Sequence, residues 1–202
     1  DNNIRGAKFL AVRGPYTRKR ILELGFSCPA IYGDPALILP MIIPNTVSKN
    51  FQIGIIPHYV DYEEIFEKFK NETSVKVIKL MTDDIIKTTK EILECEKIIS
   101  SSLHGVIVSN AYAIPALWVK FSDKLSGDNI KFYDYFESLE INYTQEFYKN
   151  PLSTELSEYY DLMNENEKIL LPHPAILKNI QIGLLKSCPF ISKARKKELL
   201  NI

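Results

Sequence analysis

The run Lys97-Ile98-Ile99-Ser100-Ser101-Ser102-Leu103-His104-Gly105-Val106-Ile107-Val108-Ser109-Asn110-Ala111-Tyr112-Ala113-Ile114-Pro115-Ala116-Leu117-Trp118 decides how this chain folds. A short apolar strand stops at three serines, a helix begins at once, and Pro115 closes it before a second strand. The unit is β-turn-α-β, with a histidine in the first helical turn. The serines are N-cap candidates, Leu103 and His104 are the expected first helical residues, and Gly105 lets a ligand approach unpaired N–H groups. Such a helix start attracts anions, because free N–H groups and the helix dipole both present positive charge there.

A chain of 202 residues can bury a core and hold one or two domains. Its 25 Lys and Arg balance 25 Asp and Glu, so no global field favours nucleic acid. Cys28, Cys95 and Cys188 are far apart and lack CxxC spacing, which suits thiols in a reducing compartment and neither a disulfide frame nor a zinc site. The most apolar stretch, residues 36–44, is short and interrupted by Pro40 and Pro44, so it does not read as a membrane span.

Outward from the opening unit the alternation continues. Strands are expected over residues 7–12, 29–32, 51–56, 75–80 and 116–121, with helices over 16–24, 62–69 and 83–93. Asp83 is placed to cap or complement the last of these. Prolines 35, 40 and 44 make residues 35–47 a stiff connector, read as a domain boundary. Residues 122–129 read as a polar loop, and the aromatic stretch 130–139 fits no period. Helices follow over 154–164 and 174–186, the latter with an apolar stripe of Ile176, Leu177, Ile180, Leu184 and Leu185, and a short basic amphipathic helix ends the chain. Strand and helix alternating with short connections predict an α/β fold with a parallel, doubly wound, Rossmann-like sheet. Ligands bind such sheets beyond the carboxyl ends of the strands, where His58 and Tyr59 would meet Ser101, Ser102 and His104.

The Ser-Ser-Leu-His-Gly run leading to Ala-Tyr-Ala-Ile-Pro resembles the signature of the polysaccharide pyruvyl transferase family. Ala113 stands where that family has glycine, a small-for-small change within the helix that is expected not to matter. Val12-Arg13-Gly14-Pro15 with Thr17, Gly33-Asp34-Pro35-Ala36 and Ile55-Ile56-Pro57-His58-Tyr59 also match. So does Phe121-Ser122-Asp123-Lys124 followed by Lys131-Phe132-Tyr133-Asp134-Tyr135, so the resemblance runs in family order from residue 12 to 135. It implies two Rossmann-like halves in a GT-B-like arrangement. Residues 1–46 would then be a remnant of the N-terminal half with its linker, 47–202 the C-terminal half with terminal helices, and much of the N-terminal half would be missing from this chain.

The resemblance also implies transfer of a pyruvyl group from phosphoenolpyruvate to two hydroxyls of a sugar, in the cytoplasm, on a nucleotide- or lipid-linked precursor of a cell-surface or exopolysaccharide. That chemistry must bind phosphate and carboxylate, protonate a methylene carbon and remove hydroxyl protons. It needs no redox cofactor and no obligatory metal, and the three histidines are isolated from grouped carboxylates. His104 takes the central role, as general acid or phosphate clamp: the helix dipole opposes a charged imidazole there and a bound phosphate favours one. Its alternative is a capping histidine. Arg13 offers a fork for carboxylate or phosphate, or else pairs with a nearby acid. Ser101, Ser102, Leu103 and Gly105 form the anion-facing helix start. His58 and Tyr59 contact donor or acceptor, or simply close a turn. Lys131 and Tyr135 would reach phosphate or sugar, or are ordinary surface residues. Asp34 reads as a turn former and no base.

Competing readings remain open. A nucleotide-sugar glycosyltransferase of the same architecture often carries two glutamates eight positions apart, but Glu64 and Glu72 fall well before the expected place. A non-catalytic phosphate- or sugar-binding fragment is the third reading. The basic end, Lys193, Arg195, Lys196 and Lys197, suits either a solvated face or contact with an anionic membrane surface.

Overall fold

The computed structural model describes residues 6–124, 128–144, 146–150 and 153–200. In chain order these form α1 (Pro15–Glu23), a 3-10 helix (Pro35–Met41), β1 (Phe51–Ile56), α2 (Tyr62–Phe69), β2 (Val75–Val77), α3 (Ile85–Leu93) and β3 (Cys95–Ser100). There follow α4 (Leu103–Ala111), β4 (Ala116–Trp118), α5 (Ile130–Ser138), α6 (Leu156–Glu165), α7 (Pro174–Ser187) and α8 (Lys193–Leu200). The four strands pair in the order β2-β1-β3-β4, all parallel, a Rossmann-like sheet. The carboxyl-terminal halves of the central strands are apolar because both faces are covered there: Ile53, Ile55, Ile56, Ile98 and Ile99 are fully buried.

The outer strands are shorter than their apolar runs. β2 stops near Val77 because its partner β1 ends at Ile56, before Pro57, and β4 stops at Trp118 opposite Ser100, the last residue of β3. The expected strands 7–12 and 29–32 reduce to one parallel bridge, Val12 to Tyr32, cut short on one side where Gly14-Pro15 turns into α1. Asp84, and not Asp83, caps α3, its Oδ1 accepting from the Lys87 amide at 2.9 Å. The aromatic stretch that fits no period is helix α5, whose Phe132 stacks on Trp118 with ring centroids 4.2 Å apart. Part of the loop expected over 122–129, residues 125–127, lies outside the described residues, as do 201–202 of the terminal helix. Within its described span α8 buries no residue.

The proline-rich connector is built into the body. Leu37 of the 3-10 helix is fully buried, and its carbonyl accepts from Gln181 Nε2 of α7 at 2.8 Å. Leu184 and Leu185 of the α7 stripe are buried, and Ile176, Leu177 and Ile180 pack against the core.

Ala113 lies past the end of α4, not within it. It adopts φ 56°, the left-handed conformation, while its N–H donates to Asn110 C=O at 3.1 Å and Ile114 N–H donates to Ser109 C=O at 2.9 Å. These two bonds make a Schellman closure, whose left-handed position favours glycine. The alanine is thus a strained replacement and not a neutral one. α5 closes the same way at Glu140, φ 57°, with Ile141 N–H donating to Phe136 C=O.

Candidate functional site

The strand order places the reversal of winding between β1 and β3, since the chain leaves β1 toward β2 on one side and reaches β3 on the other. Loops at the carboxyl ends of two such strands diverge and leave a crevice. Here the loops are tied at its base. Ser101 Oγ accepts from the His58 amide at 2.8 Å, the Ser101 amide donates to Ile56 C=O at 3.1 Å, and Ser100 Oγ donates to the same carbonyl at 2.8 Å. Ser101 therefore serves the crevice as a brace, being buried.

Above the brace opens a cavity of about 600 Å³, lined at one end by His58, Tyr59, Ser102 and His104. The rest of its lining is largely apolar, from Leu39 of the 3-10 helix, Leu80 and Met81 after β2, and Ile85 and Ile92 of α3, with Lys79, Thr82, Thr88 and Thr89 interspersed. Ser102 is the N-cap of α4 and makes no side-chain capping bond, so its hydroxyl adds to the polar end. His104 stands 66% exposed in the first turn, its Nε2 3.7 Å from Asp34 Oδ2, within range of a charged pair but longer than a hydrogen bond. Asp34 also forms its turn, Oδ1 accepting from the Ala36 amide at 2.9 Å. The turn was legible in Gly-Asp-Pro; the approach to His104 was not.

Burial, together with the positive charge of Lys131, lowers the pKa of the His58 imidazole, and Asp61 opposes them. Tyr59 is 62% exposed and its ring lies 4.4 Å from that of His58. Lys131 is an exposed cation at the start of α5. Leu103 and Gly105 face inward. A Cβ on Gly105 would come 2.3 Å from Ser100 Oγ and 2.9 Å from Ile56 Cγ2, so the group that approaches this glycine is the sheet itself. Tyr135 is fully buried, its hydroxyl donating to Asn110 Oδ1 at 3.1 Å, which removes it from any ligand contact. Its place in the inward face of an aromatic helix, not its hydroxyl, determines its position.

Arg13 lies outside the cavity lining and is held by Asp134, its Nε donating to Oδ2 at 3.3 Å. Asp134 is 1% exposed and also accepts from the Tyr16 amide at 2.8 Å, the Thr17 amide at 3.2 Å and Thr17 Oγ1 at 2.5 Å. It caps α1 from another part of the chain, doing what Gly14, the N-cap residue without a side chain, cannot do. Gly14 permits this approach, because a Cβ there would lie 1.9 Å from Asp134 C=O. The pairing reading of Arg13 thus describes its Nε. The signal for Asp134 was present: a helix opening Gly-Pro-x-Thr, without a capping residue of its own, needs an acceptor from elsewhere.

The whole constellation, the His-Gly helix start, the Arg-Gly-Pro turn and the Pro-His-Tyr loop, falls within a stretch that a family model recognises. The model described as polysaccharide pyruvyl transferase matches residues 1–123. The chain belongs to the polysaccharide pyruvyl transferase family. This pyruvyl transferase family member is 39% identical over 140 residues to an uncharacterised protein of Acanthamoeba polyphaga mimivirus, covering 66% of this chain and 49% of that protein. The chain therefore spans about half the length of the curated relative it matches. No solved structure matches it. No helix among its described residues is long and apolar enough to cross a membrane.

Proposed function

We propose that this chain provides the donor-binding half of a pyruvyl transferase that moves the pyruvyl group of phosphoenolpyruvate onto two hydroxyls of a sugar in a cell-surface or exopolysaccharide precursor. The observation that carries the reading is the start of α4, where Ser102 and exposed His104 stand at the polar end of the switch-point cavity. The unpaired N–H groups of the first turn and the helix dipole receive the phosphate. His104, poised between that anion and Asp34, protonates the methylene carbon or clamps the phosphate. Arg13, anchored through Nε outside the cavity lining, keeps its Nη groups for a carboxylate that extends past the start of α4. Lys131 adds positive charge from α5, and Tyr59 offers a face to the sugar. In a GT-B-like arrangement, residues 47–202 form one Rossmann-like half, working in the cytoplasm on a nucleotide- or lipid-linked acceptor.

The reaction balances without a redox partner. One hydroxyl oxygen bonds to C2 while the methylene carbon takes a proton, phosphate leaves with the electron pair of its bond to C2, and the second hydroxyl replaces it. Of the two hydroxyl protons, one is accounted for on the new methyl group and the other on monohydrogen phosphate. A second reading, phosphate or sugar binding without catalysis, is favoured by the engagement of Arg13 with Asp134. Calorimetric titration with phosphoenolpyruvate tests the site: His104→Ala and Arg13→Ala should each weaken binding about tenfold or more, the scale of one charge-assisted contact. Unchanged affinity in both variants refutes it. Ketal formation in a longer form of the protein, given a sugar acceptor, separates catalysis from binding.

A further inference from the structure

The proposed chemistry moves protons in opposite senses, one onto carbon and others off the attacking hydroxyls. His104 suits the first task, and the second still needs a base. We propose that His58 receives the acceptor hydroxyl's proton, and that Asp61 is the positioning residue that holds its imidazole in the required tautomer. This rests on the pyruvyl-transfer reading and adds a distinct task for the second histidine.

Local geometry places the two residues in one turn. β1 ends at Ile56, Pro57 removes a backbone donor, and the chain turns through residues 58–61, closed by the Asp61 amide donating to His58 C=O at 2.9 Å. The bond from the His58 amide to Ser101 Oγ pins the turn against the start of α4. At this turn two buried side-chain atoms have no partner among the described residues, His58 Nδ1 and Asp61 Oδ2. Asp61 is 2% exposed, and its other oxygen accepts from Ser122 Oγ at 2.5 Å. Although Asp61 is the N-cap of α2, its side chain makes no capping bond, so helix capping does not explain its burial.

A buried carboxylate oxygen without a donor is costly, and a buried imidazole nitrogen without a partner adds to that cost. The two are not bonded to each other as they stand; each supplies what the other lacks once an imidazole protonated on Nδ1 turns to the carboxylate. The lone pair then resides on Nε2, on a ring that lines the cavity. The charged and titratable groups around the ring are Asp61 in its own turn, Lys131 from α5 and Tyr59, tilted against it, with Tyr62, Lys79 and His104 lining the same cavity. Burial, and then Lys131, favour the neutral ring that is able to accept, while Asp61 favours the charge it gains on accepting. In the step itself, the hydroxyl O–H bond breaks as its oxygen bonds to C2, and the proton passes to Nε2. The imidazolium releases that proton to the departing phosphate.

Long-range proton-nitrogen spectra of the ring in the full chain test this, with His58→Gln giving the assignment. At pH 8 the wild-type ring should be the Nδ1–H tautomer. Asp61→Asn should shift it toward the Nε2–H form and lower its titration midpoint by about one unit, the scale of losing one close carboxylate. Ser122→Ala, which leaves the carboxylate in place, should keep the wild-type tautomer, and it serves if Asp61→Asn does not fold. His104→Ala should weaken phosphoenolpyruvate binding and leave the His58 tautomer alone. A wild-type Nε2–H ring, or a tautomer indifferent to Asp61→Asn, overturns the proposal while the donor site can stand. Loss of all phosphoenolpyruvate binding in the wild type overturns the pyruvyl reading and the base role with it.

Discussion

Replacing Ala113 by glycine should stabilise the protein. The residue sits at φ 56° after the last turn of α4, where its Cβ crowds the neighbouring backbone. For a residue with a side chain the left-handed conformation costs roughly 1–2 kcal/mol. Glycine's greater freedom in the unfolded chain takes back ~0.4–1 kcal/mol. The balance is about 1 kcal/mol in favour of Ala113→Gly, and because Ala113 is exposed, no packing is lost. For a chain of this size, that corresponds to a rise of roughly 2–4 °C in Tm. The protein has one tryptophan, Trp118, buried and stacked on Phe132, so urea unfolding followed by its fluorescence reads the change directly. The midpoint should rise with the slope unchanged. A midpoint that stays or falls would refute the closure argument, and Glu140→Gly, at the equivalent position of α5, should repeat the gain.

Three further outcomes follow from the geometry. Gly105→Ala drives a methyl group to 2.3 Å from Ser100 Oγ and should cost about 1–3 kcal/mol by overpacking; it should also weaken phosphoenolpyruvate binding by displacing α4, and wild-type values in both assays would contradict the close helix-sheet contact. Asp134→Ala strips four donors of their acceptor, two of them amides of α1, and should destabilise by about 3 kcal/mol in urea; a change within ~0.5 kcal/mol, typical of surface sites, would disprove the clamp. Because the folded-state pKa of His58 is depressed below the ordinary 6.5, the unfolded chain binds its proton more readily. Its contribution is present above pH 6.5 and is lost as pH falls through the folded value, so unfolding midpoints of His58→Gln should fall less steeply than wild type on acidification from pH 7 to 5.

The central strands and α4 were legible because each carries an apolar cluster bounded by serine or proline, and the strand rule then brought His58, Ser101 and His104 to one crevice. Strand length was not legible, since β2 and β4 end where their partners end and not where their own apolar residues do. The end of α4 is hidden in the sequence because Tyr-Ala-Ile-Pro has no glycine at its left-handed position, Ala113. Tyr135 and Arg13 show the limit for polar side chains. A hydroxyl on an aromatic helix satisfies itself on buried Asn110, and a guanidinium just before α1 finds an acid 121 positions away. The uncapped Gly-Pro-x-Thr start calls for an acceptor but does not say which residue supplies it, and Asn110 has no local signature at all.

The clamp at Asp134 also sets an order of events during synthesis. The first helix emerges from the ribosome with bare amide groups at its start, and its acceptor is made more than a hundred residues later. Until then Pro15–Glu23, too short to persist alone, stays frayed. A truncation that stops before residue 134 leaves that helix permanently uncapped, whereas one that begins after residue 17 strands a carboxylate in an apolar interior. The start of α1 and the residues around Asp134 therefore mature as one cooperative piece.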